Sequence, residues 1–327
     1  MRTKIHTVGL IFLLFTSFCS YAQQDYWKPK VAPQKWSKQL SAAPQFYELE
    51  LQPFTSELRS KSTVVLPSPN TNSFLRFSLE EASNFHPNLQ KRYPDIRAYK
   101  GVSTDGKYRL VLSSTDEKIS VMYTAVGSKQ RFFLEQVSAT PLSSKSSKAQ
   151  EQWYAVYSIG DFELPEWACE LQEPSKTPTN FEFTAPANLK TFRIAISTTG
   201  QYTAYHGQNI SGALAAINAT LTRVNGIYEN EIGVHFELIE EVEQLIYLNR
   251  FSDPYFENLG GDLQEVLDEV IGDENYDIGH LFHQDRNSGN AGFVGATCQT
   301  GKKGSAYSSG VNPEGALFDI DYVCHEI

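Results

Sequence analysis

The chain has 327 residues, a formal net charge of −10 at pH 7 and an aromatic content of 13%. This length predicts about two domains. The acidic balance argues against a nucleic-acid partner, which would require a basic surface.

Residues 1–22 have the pattern of a secretory signal peptide. Arg2 and Lys4 precede the apolar run Val8–Phe18, and small residues follow it, so we expect cleavage before Gln23. The apolar run is too short for a stable membrane anchor, and we expect no transmembrane segment after cleavage. The mature protein is therefore expected to be secreted. It would keep three cysteines, an odd number that leaves at least one thiol unpaired.

Short alternating segments predict a β-rich domain in residues 23–187. The predicted strands are 46–51, 63–66, 74–79, 97–100, 108–113, 119–124, 131–137 and 153–159. Serine and lysine dominate 138–152, which we interpret as an exposed linker within this domain. The proline-rich segment 164–187 is expected to be an extended connector that contains no helix and no central strand.

Strands alternate with helices in residues 188–327, which predicts a second domain with a mixed, mostly parallel twisted sheet and long helices. The predicted strands are 192–197, 234–238, 245–248 and 277–282. The predicted helices are an amphipathic helix over 211–230, capped by Ser211, and a second helix capped by Asp262. The fold class expected for the whole chain is α+β.

The last thirteen residues, 315–327, have the pattern of the first turns of a buried helix. Asp319 or Asp321 is the expected cap. The apolar stripe contains Ile320, Val323, Cys324 and Ile327. His325 and Glu326 lie beside that stripe, and a His-Glu pair opens the H-E-x-x-H motif of zinc proteases. The pair alone is more often an ordinary surface or core pair.

Four stretches of the second domain together resemble the amino-terminal half of a metzincin catalytic domain, as in the reprolysin-like secreted metalloproteases of bacteria. They are Phe192–His206, Ala213–Asn225, Asn275–Phe282 and Phe318–Ile327. Two stretches of the first domain resemble the propeptide of such enzymes. They are Leu75–Phe85 and Tyr93–Gly101. The resemblance implies a β-rich propeptide over 23–187 and the amino-terminal part of a metalloprotease domain over 188–327.

The family motif is H-E-x-x-H-x-x-G-x-x-H. By resemblance, His325 corresponds to the first Zn²⁺ ligand and Glu326 to the general base. The sequence ends at Ile327, before the second and third ligands of the motif. We therefore expect a chain truncated within the motif, and no peptidase activity from the 327 residues alone. A peptide or protein substrate would lie along an exposed edge strand, which we expect within 292–298, where a plain surface loop is the alternative.

Cys169 is the candidate for a cysteine switch, because related zymogens hold a thiolate on the zinc. A buried or disulfide-bonded cysteine is the alternative at this position. Cys298 and Cys324 are candidates for a disulfide with each other, or with cysteines beyond Ile327. His280 and His283 would point to opposite faces of a strand and so would not share a metal.

The resulting prediction is a secreted zymogen of a zinc metalloendopeptidase, in which Glu326 activates a metal-bound water. His206 and His235 are expected to have packing roles only. The alternative is a secreted non-enzymatic module that binds or inhibits a protease, and a cell-surface adhesion module is a third reading. Zinc content distinguishes the enzyme from both alternatives.

Overall fold

A computed structural model describes residues 26–31, 44–137, 152–158, 160, 167–169 and 188–327. The predicted signal peptide, most of the linker and most of the proline-rich connector lie outside these residues. The described residues form two sheets. We call 26–31, 44–137 and 152–158 the amino-terminal unit, and 188–327 the carboxy-terminal unit.

The amino-terminal unit is built on one sheet of nine strands, in which every neighbouring pair is antiparallel. The strands are β1 (Trp27–Lys30), β2 (Gln45–Leu49), β3 (Thr63–Pro67), β4 (Phe74–Glu81), β5 (Arg97–Ser103), β6 (Tyr108–Ser114), β7 (Ile119–Ala125), β8 (Arg131–Gln136) and β9 (Trp153–Ser158). Their order is β1-β2-β9-β8-β7-β6-β5-β4-β3. All eight strands that the sequence predicts in this part are present as β2 to β9.

Two helices in this unit were not predicted. They are α1 (Leu51–Ser60) and α2 (Pro87–Arg92). Helix α1 presents Leu51, Phe54 and Leu58 at positions i, i+3 and i+7, which places them on one face. All three are buried against aromatic side chains of the nine-stranded sheet. A helix therefore contributes to the core of a unit that the sequence predicts as strands alone.

The second sheet has six strands and is mixed. The strands are β10 (Ala168–Cys169), β11 (Lys190–Thr198), β12 (Val234–Leu238), β13 (Ile278–His283), β14 (Ser288–Asn290) and β15 (Ala306–Ser309). Their order is β10-β14-β15-β13-β11-β12, and only β14 and β15 are antiparallel neighbours. The chain is thus α+β, but a mostly parallel sheet describes only the smaller of its two sheets.

Helices cover the second sheet. They are α3 (Gly200–Tyr205), α4 (Ile210–Glu231) and α5 (Leu259–Val270), with short 3₁₀ turns at Val242–Leu245 and Asp273–Asn275. No helix in the described parts of the chain is both long and apolar enough to cross a membrane. The predicted strand over 245–248 was wrong, because Ile246 makes only a single parallel bridge to Thr198.

Both predicted helix caps were wrong by a few residues. Asn209 caps α4 by accepting a hydrogen bond from the Gly212 amide, so Ser211 already lies within the helix. Asn258 caps α5, and Asp262 lies in its first turn. Asparagine, aspartate and serine are comparably good caps. The path of the chain that enters the helix therefore decides which of the nearby candidates becomes the cap.

Helix α4 packs between the two sheets. A Cβ atom at Gly226 would lie 2.8 Å from a Val111 methyl group and 3.2 Å from the Met122 methyl group, so this glycine lets α4 approach β6 and β7 closely. The units also meet at the far edge of the second sheet, where the amide of Leu238 donates to the Asn84 carbonyl at 2.7 Å. The amide of His86 donates back to the Leu238 carbonyl at 2.9 Å.

Candidate metal centre

The segment that carries His325 and Glu326 is a helix with unusual local geometry. It winds as a π-helix over Leu317–Val323 and returns to an α-helical turn, α6, over Cys324–Glu326. Such wide turns are rare in proteins as a whole, and those that occur often lie at functional sites. Asp319 and Asp321 both lie within the π-helix, so the prediction that one of them caps the helix was wrong. The Asp319 side chain is buried instead.

Cys169, His325 and Glu326 converge at this helix. One ligand atom from each residue lies within 4.8 Å of the other two. The thiol and the imidazole belong to exposed residues, whereas the carboxylate is buried. Within the described parts of the chain, this is the one group of three or more such residues.

Strand β10 brings the thiol to the centre. It pairs parallel with β14, so that Cys169 lies opposite Gly289. Trp167, just before β10, stacks on Tyr322 with ring centroids 5.4 Å apart and an interplanar angle of 6°. The same indole packs edge-on against the His325 ring, with centroids 5.0 Å apart. The segment around the thiol is therefore held by backbone pairing and by two ring contacts.

Gly289 is required for the close approach of β14 to the helix. A Cβ atom at this position would lie 2.6 Å from the Glu326 Oε1 atom and 2.8 Å from its Cγ atom. Neither Gly289 nor Trp167 was predicted from the sequence as part of the site. The tryptophan two residues before Cys169 was an available signal, because a large apolar ring in a polar connector gains stability by packing on another surface.

Burial controls ionisation around the centre. It raises the pKa of the Tyr322 phenol and of the Cys324 thiol, each to about 12. Burial also raises the pKa of Asp321, while the nearby His325 opposes that rise. Cys324 is consequently a neutral thiol at physiological pH, and Cys169 is the cysteine that lies beside His325 and Glu326.

The donor set fits zinc, which takes cysteine sulfur, histidine nitrogen and carboxylate oxygen in tetrahedral sites. Cys169 and His325 would supply two of the four ligands, so water and further ligands would fill the other two positions. Cys169 and His325 are the residues that would hold the ion, with the Glu326 carboxylate beside it.

The pair His280 and His283 lies on β13, away from this group. The His280 Nε2 atom is 2.9 Å from the Ser308 hydroxyl, and burial lowers the pKa of this imidazole to about 3. The His283 Nδ1 atom is 3.0 Å from the Thr199 hydroxyl. The two imidazoles have separate partners and belong to no ligand group.

His206 and His235 have local partners as well. The His206 ring is 3.2 Å from the Pro313 carbonyl, and burial lowers its pKa to about 4. The His235 Nδ1 atom is 2.7 Å from a carboxylate oxygen of Glu229. Both contacts are those of packed structural residues.

Two further predictions required correction. Cys298 and Cys324 do not pair with each other, because Cys298 lies in an exposed loop whose amide donates to the Asp277 carbonyl, whereas Cys324 is part of α6. Pairing with cysteines beyond Ile327 stays a prediction. The edge strand expected within 292–298 is absent there, and the nearest strand, β14, ends at Asn290 and pairs with β10. Residues 292–298 form turns.

Comparison with known proteins agrees with this geometry. No curated protein matches the chain. A family model described as metallo-peptidase family M12B, reprolysin-like, matches residues 188–327. This match covers the whole carboxy-terminal unit, including the helix with His325 and Glu326. The carboxy-terminal unit therefore belongs to the reprolysin-like M12B metallopeptidases, which are typically zinc-dependent and act on peptides or proteins.

Proposed function

We propose that the chain is the precursor of a secreted zinc metalloendopeptidase, held latent by Cys169. His325 is a zinc ligand, Glu326 is the general base, and the amino-terminal unit is the propeptide. The observation that carries this proposal is the convergence of the Cys169, His325 and Glu326 side chains within 4.8 Å. Export is proposed from the signal-peptide pattern of residues 1–22.

Bound zinc would lower the pKa of a water molecule and polarise the scissile carbonyl. Glu326 is positioned to take a proton from that water and to pass it to the leaving amine. Its carboxylate is buried beside β14. Strand β14 offers the backbone edge to which an extended peptide can add.

Latency follows from what occupies that edge. Strand β10 pairs with β14, so a substrate cannot pair there until β10 leaves. Trp167 lies against the ring of His325 and excludes a substrate from the same place. The Cys169 thiolate would occupy the ligand position that the reacting water needs. Activation therefore requires removal of the segment around Trp167 and Cys169.

Binding of Co²⁺ to the purified 327-residue chain tests the proposal. Co²⁺ replaces Zn²⁺ in such sites, and a coordinated thiolate gives a charge-transfer absorption band. We expect this band in the wild type. Glu326→Gln should keep it at saturating Co²⁺, because the thiolate and the imidazole are unchanged, although the loss of the carboxylate beside the metal lowers the affinity. We expect no band in Cys169→Ser and a much weaker one in His325→Ala.

Cys298→Ser and His235→Ala are the matched controls, because they remove a free thiol and an imidazole that lie outside the centre. Both should keep the band at wild-type intensity. A wild-type chain without the band, or a Cys169→Ser chain that retains it, would refute the proposed latent centre.

A further inference from the structure

Arg223 is a buried cation that contacts both units. It lies on α4, and its side chain is only 3% exposed. Its Nη1 atom donates to the Asp319 carboxylate at 2.7 Å, within the carboxy-terminal unit. Its Nη2 atom donates to the Glu135 carboxylate of β8 and to the Ser120 hydroxyl of β7, each at 2.5 Å and both in the amino-terminal unit.

Both carboxylates have further partners. The Tyr157 hydroxyl donates to Glu135, and the Thr220 hydroxyl donates to Asp319 at 2.7 Å. The side chains of Glu135 and Asp319 are 7% and 2% exposed. Burial alone would lower the pKa of Arg223, but the two carboxylates raise it above its ordinary value. One guanidinium thus serves two buried carboxylates, one from each unit.

The other ion pairs between the described parts of the two units each have a partner that is more than a third exposed. They are Arg131–Glu231, Lys118–Glu314, Lys100–Glu229, Arg92–Glu240, Arg92–Glu243 and His86–Glu240. Exposed pairs of this kind contribute little. By contrast, removal of one member of a buried pair leaves an uncompensated charge and is strongly unfavourable. The Arg223 cluster is therefore the electrostatic centre of the contact between the units.

We propose that Arg223 is a binding site for the Glu135 carboxylate that keeps the amino-terminal unit on α4 after the connector between the units is cut. The cut chain would remain a noncovalent complex. Its two parts would be joined at a point that is separate from the Cys169 thiol.

The position of Asp319 gives this contact a regulatory consequence, which rests on the proposed function. Asp319 is on the same helical segment as His325 and Glu326. The guanidinium therefore links the propeptide to the helix that carries the metal ligand. Loss of the Cys169 ligand alone would leave the amino-terminal unit seated, so activation would need both a broken thiol contact and release of Glu135.

The test uses the full chain with a recognition site for a sequence-specific protease inserted between residues 176 and 177. After complete cutting, size-exclusion chromatography over a dilution series gives the concentration at which the two fragments separate. The Cys169→Ser background and a metal chelator remove any contribution from the thiol or from zinc. We expect the two fragments of this Cys169→Ser chain, which has no other substitution, to co-elute at micromolar concentration.

Glu135→Gln keeps the side-chain shape and removes the charge. We expect it to raise the dissociation constant at least about 30-fold, which is the low end for a buried charge pair. Glu231→Gln at the rim is the control, with a change below about fivefold. Asp319→Asn should leave association unchanged or tighter, because Asp319 and Arg223 stay on the same fragment and Glu135 then has the guanidinium to itself.

Melting of the uncut variants verifies that each one folds. Wild-type fragments that separate freely would overturn the inference, as would equal effects of Glu135→Gln and Glu231→Gln. Equal weakening by Glu135→Gln and Asp319→Asn would indicate a merely structural cluster and would overturn it too. Because the assay measures neither zinc nor cleavage, its outcome is independent of whether the chain is a peptidase.

Discussion

The amino-terminal side of the chain contacts the carboxy-terminal unit in two different ways. At the metal centre the contact is β10, a strand of two residues that carries the exposed thiol of Cys169. At α4 the contact is broad and buried, with Arg223 at its centre. A short exposed contact can be exchanged for a substrate or for water, whereas a buried ion cluster cannot be solvated without separating the surfaces. The comparison indicates that one contact covers the edge of β14 and that a different contact holds the two units together.

The largest expected effect is that of Arg223→Ala. It would leave two carboxylates buried without their cation, and we expect the free energy of unfolding to fall by about 3–5 kcal/mol. Cys169→Ser should change it by less than about 0.5 kcal/mol. Urea denaturation of the 327-residue chain measures both, with Arg131→Ala at the rim as the control. Similar losses for Arg223→Ala and Cys169→Ser would contradict the difference between the two contacts.

A smaller loss is expected at Asn84, which reaches across to α4. Its side-chain amide donates to the Asn218 and Thr222 side chains at 2.9 and 2.8 Å, and it accepts from Asn225 at 2.9 Å. Asn84→Ala would remove all three of these buried hydrogen bonds, at a cost of about 1–3 kcal/mol. Asn88→Ala, at an exposed contact, is the control and should be close to neutral. If Asn84→Ala leaves the free energy of unfolding unchanged, water has replaced the lost amide.

The next effect concerns pH and the core of the carboxy-terminal unit. Burial lowers the pKa of His280 from 6.5 to about 3, so the unfolded chain binds this proton more readily than the folded chain. The contribution of His280 is fully present above pH 6.5 and is lost, at up to about 1.4 kcal/mol per pH unit, as pH falls towards 3. His280→Asn should therefore become more favourable relative to wild type as pH falls.

Asp319 acts in the opposite direction, which is why the pH test uses a difference between variants. Burial raises its pKa from 3.8 to about 6, although Arg223 opposes that rise. Its contribution is fully present below pH 3.8 and is lost as pH rises through 6. Denaturation of wild type and His280→Asn at several pH values separates the two effects. A pH-independent difference would refute the assignment to His280.

The last effect is a small loss of stability combined with a specific effect on the metal, and it is expected for Gly289→Ala. The added methyl group would lie 2.6 Å from the Glu326 Oε1 atom and 2.8 Å from its Cγ atom, so the Glu326 side chain must move, at a cost of about 1 kcal/mol, the low end for an overpacked site. Movement of the carboxylate beside the metal should lower Co²⁺ affinity about tenfold. Ser288→Ala on the same strand is the control. Unchanged affinity would show that Glu326 does not need its place beside β14.

Much of the fold was readable from local patterns. Strand β12 matches its predicted bounds of 234–238, and α4 exceeds its predicted bounds of 211–230 by only one residue at each end. Hydrophobic periods of two and of 3.6 residues are local properties, so strands and helices can be predicted from them without knowledge of the surface they pack against. Helix α1 was missed because its apolar residues follow directly on a strand and share its composition.

For the candidate metal centre, the sequence by itself pointed to His325 and Glu326 through a motif of adjacent residues, and it offered Cys169 as a candidate. Only the tertiary structure brought that cysteine to the other two residues, because the register of β10 on β14 joins distant parts of the chain. The same holds for Asp319, which resembles a helix cap in sequence. Arg223 lies 96 positions away and makes it a buried ion-pair partner instead. Local periodicity fixes the elements, whereas pairing between distant side chains depends on how those elements pack.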